Sequence, residues 1–237
     1  SFPTRRSSDL VFYQDSLSIQ DNYLEEEYLI YVADQNNLIF PLNVVALFDK
    51  DFKISYYHSE TNNEIDKEIY MVFSLLTNYS NHLPQGTKTF IPKTTKLLDY
   101  NISEDILILN LSEDFLTYNQ KYEEEILKIL TFSFTSIPGI NKVKLVCEGE
   151  NINFKTYYKN ILSKDEFILN MFINDVISDN LLKYEVYYLT QVEDSLYLVK
   201  VTVFDNDIPS KEEKINKLLT TVGMIPVITL VTEESIG

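Results

Sequence analysis

Apolar and polar positions run through this chain in two rhythms, and the changes of rhythm mark its elements. From Tyr28 to Ala33 and from Leu38 to Phe48 the residues are mostly Tyr, Ile, Val, Leu and Phe, with Asp34-Gln35-Asn36-Asn37 between them. Aromatic and β-branched residues suit a pleated, half-buried surface and Asp and Asn favour a tight turn, so a hairpin is predicted. Pro41 has no N–H for a ladder, which marks a strand start, an edge or a bulge. Helical spacing takes over from about Asn63 to Asn78: Ile69, Phe73 and Leu76 recur on one face, Val72 widens the stripe, and Asn63 or Asp66 caps the start. Leu83-Pro84-Gln85-Gly86-Thr87 then turns the chain.

A second hairpin is predicted from Lys96 to Ile102, the turn Ser103-Glu104-Asp105, and Ile106 to Leu111. Ile106-Leu107-Ile108-Leu109 is apolar on both faces, as in a central strand or one whose outer face a partner hides. The next helix opens on Glu123-Glu124-Glu125, carboxylates that complement the positive end of a helix dipole. Ile126, Leu127, Leu130, Phe134 and Ile137 form its buried stripe, and Pro138-Gly139 stops it. Lys142 to Cys147 is the closing strand. The order ββαββαβ describes an α+β unit, a mixed or antiparallel sheet with helices on one face.

Composition narrows the chemistry. The 237 residues are 45% hydrophobic with 14 Phe and 17 Tyr, enough for a substantial core in one or two domains. Acidic side chains number 36 against 20 basic, a net charge of −16. Such a surface repels phosphate backbones and anionic headgroups, which argues against nucleic-acid binding and a peripheral membrane patch. Cys147 is the single cysteine, so an internal disulfide is excluded. Strand alternation puts it beside Val143 and Leu145, where it serves as a small hydrophobe. Glu25, Glu26 and Glu27 point to alternating faces and do not converge on a metal. His58, in the polar loop from Lys50 to Asp66, and His82, beside Leu83, lack ligand-spaced neighbours. There is no Ser/His/Asp or Cys/His set, and the five glycines form no phosphate-cradling loop. No catalytic, cofactor-binding or metal residue is assigned, and neither enzymatic activity nor a cofactor is expected.

Leu83-Pro-x-Gly-Thr, Ile91-Pro-x-x-Thr-Lys-Leu-Leu, Leu109-Asn-Leu-Ser-Glu-Asp-Phe-Leu, the Glu-led helix and Ile137-Pro-Gly-Ile-x-Lys-Val occur in this order. Together they resemble the GerMN domain of sporulation and germination proteins over roughly Glu27 to Phe154. The sequence departs from the family pattern in its acidity, its many tyrosines and some missing glycines. The resemblance implies a fold similar to ring-building modules. It also implies a non-enzymatic, extracytoplasmic, lipid-anchored protein that helps assemble the channel complex between mother cell and forespore. The implied partners are other envelope or channel-complex proteins, with oligomerisation possible and membrane attachment only through an N-terminal anchor. An alternative is a carbohydrate-binding module of the envelope, with Tyr56, Tyr57, Tyr157 and Tyr158 stacking on the sugars of peptidoglycan.

Ser1 to Leu10 resembles a translated sequencing adapter and is set aside, with residues 11–26 as a polar lead-in; an upstream signal or anchor is expected to have been lost with the natural start. Tyr28–Asp49 aligns without gaps to Tyr184–Asp205, pairing Tyr28 with Tyr184, Tyr31 with Tyr187, Leu42 with Leu198 and Val45 with Val201. Lys67-Glu68 and Leu75-Leu76-Thr77 are echoed by Lys211-Glu212 and Leu218-Leu219-Thr220. Residues 184–237 therefore read as a partial second copy in tandem. Residues 155–183 read as a linker whose Ser163-Lys164-Asp165-Glu166 caps a helix carrying Phe167, Ile168, Met171 and Phe172. A half copy leaves a sheet edge exposed, so amides in Tyr184–Gly237 are expected to exchange hydrogen faster than those in Glu27–Phe154. Equal protection in a native-state exchange experiment would contradict the partial-copy reading.

Overall fold

The computed structural model describes residues 11–12, 23–49, 55–56, 59–60, 64–173 and 182–205. In chain order the elements are β1 (Val11–Phe12), β2 (Tyr23–Ala33), β3 (Ile39–Asp49), β4 (Ser55–Tyr56), β5 (Ser59–Glu60) and α1 (Glu64–Leu76). Then come β6 (Leu97–Ser103), β7 (Ile106–Leu111), α2 (Glu123–Phe134), β8 (Lys142–Cys147), β9 (Glu150–Asn151) and β10 (Ile161–Ser163). The last are β11 (Met171–Ile173), β12 (Leu182–Val192) and β13 (Ser195–Asp205). The chain divides into two compact units. The first comprises Ser1–Tyr31, Pro41–Leu83 and Thr89–Ser163, and the second comprises Val32–Phe40, Pro84–Lys88 and Lys164–Gly237.

In the first unit the strands run β10-β8-β7-β6, with β9 added to β8. β6 and β7 form an antiparallel hairpin, and Glu104 supplies its positive φ of 57°. β7 and β8 are parallel, in register from Ile106 with Lys142 to Leu111 with Cys147. A parallel pair needs a crossover, which α2 provides. Leu107, Leu109 and Leu111 are buried, and Ile106, Ile108 and Asn110 on the other face are half-buried, so the two-sided apolarity of β7 belongs to an internal strand.

α2 is buried on more than the expected stripe. Ile129, Thr131 and Ser133 are enclosed as well, and Lys128 is buried with its Nζ 2.8 Å from Glu124 Oε1. The reason is that α2 meets β8 and β10 and also the first hairpin, where the Tyr31 N–H donates to Ser133 Oγ at 2.8 Å and the Tyr31 and Phe132 rings lie 5.3 Å apart. α1 contacts α2 and buries Ile69, Met71, Val72, Phe73, Leu75 and Leu76.

Part of the polar lead-in is folded. β1 pairs antiparallel with β3, Val11 opposite Leu47, and β2 begins at Tyr23. Glu26 accepts hydrogen bonds from Tyr28, at 2.5 Å, and from Lys67 on α1, so this carboxylate is partnered on the strand. Ser1 to Leu10, His58 and Asn63 lie outside the described residues, as do Lys211-Glu212 and Leu218-Leu219-Thr220.

The second unit is built on β12 and β13, paired antiparallel along their whole length through the turn Glu193-Asp194, with β11 parallel to β13 on the other side. β11 and β10 occupy the segment expected to hold a linker helix. Only the 3-10 turn Lys164–Glu166 is helical among its described residues, because Ile161–Ser163 extends the sheet beside β8 and Asn170 is committed to two strands. The buried Asn170 side chain accepts from the Ile39 N–H at 2.7 Å and donates to the carbonyls of Ile39 at 2.7 Å and Lys200 at 2.9 Å.

The repeat alignment holds for the first strand of the hairpin: Tyr28 and Tyr184 are buried, and Tyr31 and Tyr187 are half-buried. It slips on the second, where Leu42 is buried but its counterpart Leu198 is 51% exposed. The connection shortens from Asp34–Leu38 to Glu193–Asp194, which changes the phase of every following side chain.

Asn170→Ala is expected to destabilise the protein by about 1 to 3 kcal/mol, since it strands the Ile39 N–H and two carbonyls without side-chain partners. Urea denaturation measures this, with faster hydrogen exchange at the Ile39 amide as the local sign. An unchanged midpoint and unchanged exchange would contradict the role.

Candidate interaction surfaces

The first surface is built from the start of α2. Glu123 is 1% exposed, and its carboxylate is hydrogen-bonded from two directions. Thr156 donates its backbone N–H at 2.6 Å and its hydroxyl at 2.7 Å to Oε1, while the Tyr118 hydroxyl donates to Oε2. Burial pushes the carboxyl pKa up, but the bonds from Tyr118, from Thr156 and from the Lys155 backbone outweigh it and hold the value below the usual range. The same geometry raises the Tyr118 hydroxyl, by burial first and then by its bond to Glu123 and the charge there. The triple glutamate thus divides its work: Glu124 and Glu125 remain accessible at the helix end, and Glu123 is an internal anchor.

Around that anchor lies a ledge of aromatic and cationic side chains. Lys155 Nζ donates to Gln120 Oε1 at 2.5 Å. Tyr157 and Tyr158 follow, their rings inclined by 20° with centroids 6.4 Å apart, and Tyr158 is 93% exposed. Phe90 stacks on Tyr122 at 4.3 Å and 17°, and Lys121 Nζ lies 5.4 Å from the Tyr122 centroid. Phe90 holds a φ of 60°, a left-handed conformation that is strained for a bulky side chain. Leu116, on the neighbouring loop, is 51% exposed.

The second surface is the outer face of β11-β13-β12. One face of this sheet buries Tyr184, Val186, Tyr188, Val199, Val201 and Val203, with Phe40 against Tyr197 at 5.1 Å. Burial first, then Asp205, raises the Tyr184 hydroxyl to about 12; burial and Tyr184 raise Tyr188 to about 12. The opposite face presents Leu196 and Leu198, 62% and 51% exposed, and the register puts Met171 and Ile173 on the same side. Its central charges, Lys200 and Glu185, neutralise each other at 2.6 Å. Exposed apolar area rimmed by polar residues is the signature of a docking surface.

The residues weighed for chemistry are dispersed. Cys147 is buried, and burial, followed by Glu148 and Glu113, pushes its thiol up, which disfavours the reactive thiolate. His82 is exposed at the end of a 3-10 turn, its ring 6.2 Å from that of Tyr79. Tyr57 lies outside the described residues, and for Tyr56 only the β4–β5 pairing is described. Among the described residues no cluster of His, Cys, Asp and Glu could hold a metal, and no helix is long and apolar enough to cross a membrane. Neither Glu123 as an anchor nor the outer face of β13 was legible in the residue pattern: Thr156, which encloses Glu123, lies 33 residues away, and β13 carries apolar residues on both faces, valines on one and leucines on the other.

Comparison with known proteins gives the chain a family. The family model described as Germane, sporulation and spore germination, matches residues 30–153. The spore germination protein GerM of Bacillus subtilis (strain 168) is 31% identical over 127 residues, covering 51% of this chain. The chain spans about a third of the length of that relative, 34%. The solved tandem GerMN domains of the sporulation protein GerM from Bacillus subtilis share the fold with a TM-score of 0.63 at 21% identity, over 90% of this chain and 76% of that one. The first GerMN domain of the same protein aligns with a TM-score of 0.45 at 18% identity, over 59% of this chain and 98% of that one.

Glu123→Gln is expected to lower stability by about 1 to 3 kcal/mol at neutral pH. Folding lowers the pKa of this carboxyl, so its contribution is complete above the ordinary glutamate value of about 4.3 and is lost as pH falls from there through the folded value. Urea titrations at stepped pH are expected to show the gap between the two proteins closing on acidification. A gap independent of pH would contradict the charged anchor.

Proposed function

The chain belongs to the Germane family of sporulation and spore germination proteins, and we propose that it acts there as a non-enzymatic assembly protein. In this reading it works outside the cytoplasm, anchored to the membrane in the whole protein, and helps build the channel complex between mother cell and forespore. Its ring-building type of fold supplies the surfaces through which it meets channel-complex proteins or copies of itself.

The observation that carries the proposal is the outer face of β11-β13-β12. Leu196, Leu198, Met171 and Ile173 expose apolar surface on a chain with a net charge of −16, and Lys200 and Glu185 between them neutralise each other. Covering such a face releases ordered water at roughly 25 cal/mol per Å² of apolar area, while the acidic remainder limits indiscriminate association and steers towards basic partners. The tandem fold shared with a sporulation protein supports the same reading.

The test is a Leu198→Asp, Ile173→Asp double variant, both substitutions on exposed positions and so compatible with folding. In the organism that carries the gene, replacing the native copy is expected to reduce heat-resistant spores about tenfold or more at unchanged protein level, as a charge buried in a docking face costs several kcal/mol. Normal spore counts would overturn the proposal.

A further inference from the structure

We propose that the Tyr157–Tyr158 ledge is a binding site for a β-1,4-linked glycan, separate from the assembly face.

The rings of Tyr157 and Tyr158 are nearly parallel, inclined by 20°, and Tyr158, at 93% exposure, is the most solvent-open large apolar side chain among the described residues. Its exposure leaves it almost no part in holding the core together. The segment beneath it is fixed nonetheless. Thr156 is bonded twice to the buried Glu123, and Lys155 is bonded to Gln120, so both residues before the ring pair are tied to the start of α2. Aromatic faces presented by an ordered backbone bind with little further ordering cost, because each ring has only two side-chain torsions to fix.

The polar groups around the rings define the ligand. A β-1,4-linked pyranose chain with equatorial substituents has flat faces of axial C–H groups and edges of hydroxyls. The faces match the π-surface of a tyrosine, and the edges match ammonium and amide groups at the rim. Lys155 carries three N–H donors, one of which is directed to Gln120 Oε1, and Lys121 lies nearby against the Tyr122 ring. The run Lys-Thr-Tyr-Tyr-Lys-Asn carries Lys155 and Lys159 and no acidic residue of its own, and the carboxylate bonded to it, Glu123, is buried beneath it. A nucleic acid would find aromatic rings here too, but the net charge of −16 opposes a polyanion over the longer range. The strained Phe90, held against Tyr122, adds a second aromatic surface at the start of the same helix.

Titration of the full chain with chitopentaose and, separately, with cellopentaose, followed by amide chemical shifts, tests this. Saturable shifts centred on Lys155 to Tyr158 with at least one of the two sugars are expected. Tyr158→Ala is expected to weaken that binding at least about fivefold, the lower end of what one aromatic stacking partner contributes, with an unchanged melting temperature. The Leu198→Asp, Ile173→Asp variant is expected to bind the sugar as the unsubstituted protein does, which separates this site from the assembly face. No saturable binding to either sugar, or binding that Tyr158→Ala leaves intact, would overturn the inference.

Discussion

Two parallel strands cannot be joined by a turn, and that constraint on β7 and β8 shapes most of the first unit. The chain must leave the end of β7, cross the sheet and return, and α2 is the crossover. Because the helix is enclosed by the sheet on one side and by α1 and the first hairpin on the other, its apolar residues are buried around most of its circumference. Its N-terminus consequently emerges where the chain following β9 passes. That passage brings Thr156 to Glu123, and the same segment then adds β10 to the free side of β8. One topological requirement thus positions the helix, the buried carboxylate and the ledge.

Local pattern carried residues 28–147 well. Helical spacing marked α1 and α2, and Asp34–Asn37 lies between the strands it was expected to separate; of the second turn Glu104 and Asp105 do so, while Ser103 ends β6 opposite Ile106. Asp34 accepts from the Asn36 and Leu38 N–H groups at 2.8 and 2.9 Å, and Asn37 takes the positive φ of 65°, the mechanism that makes these residues turn formers. Gly86 likewise needs its φ of 90°, and a side chain there would crowd Gln35.

What the pattern missed depends on partners distant in sequence. Glu123-Glu124-Glu125 reads as a solvated helix start until Thr156 and Tyr118 are seen to enclose its first member. The segment after Lys155 has apolar residues at spacings that fit a short helix or short strands equally, and pairing with β8 and β13 decides for strands. The repeat suffered from the same blindness. An alignment scores residue types, whereas three fewer residues between the strands invert which face is buried, and the result is the exposed Leu196 and Leu198.

An assembly role requires that the outer face of β13 be covered in the cell, and photo-crosslinking measures this directly. With a photoreactive amino acid at position 198 in the organism that carries the gene, a discrete adduct with a channel-complex protein or a second copy of the chain is expected during sporulation. The same probe at Glu148, on an exposed turn of the first unit, is expected to give little. Equal or absent adducts from the two positions would contradict the account.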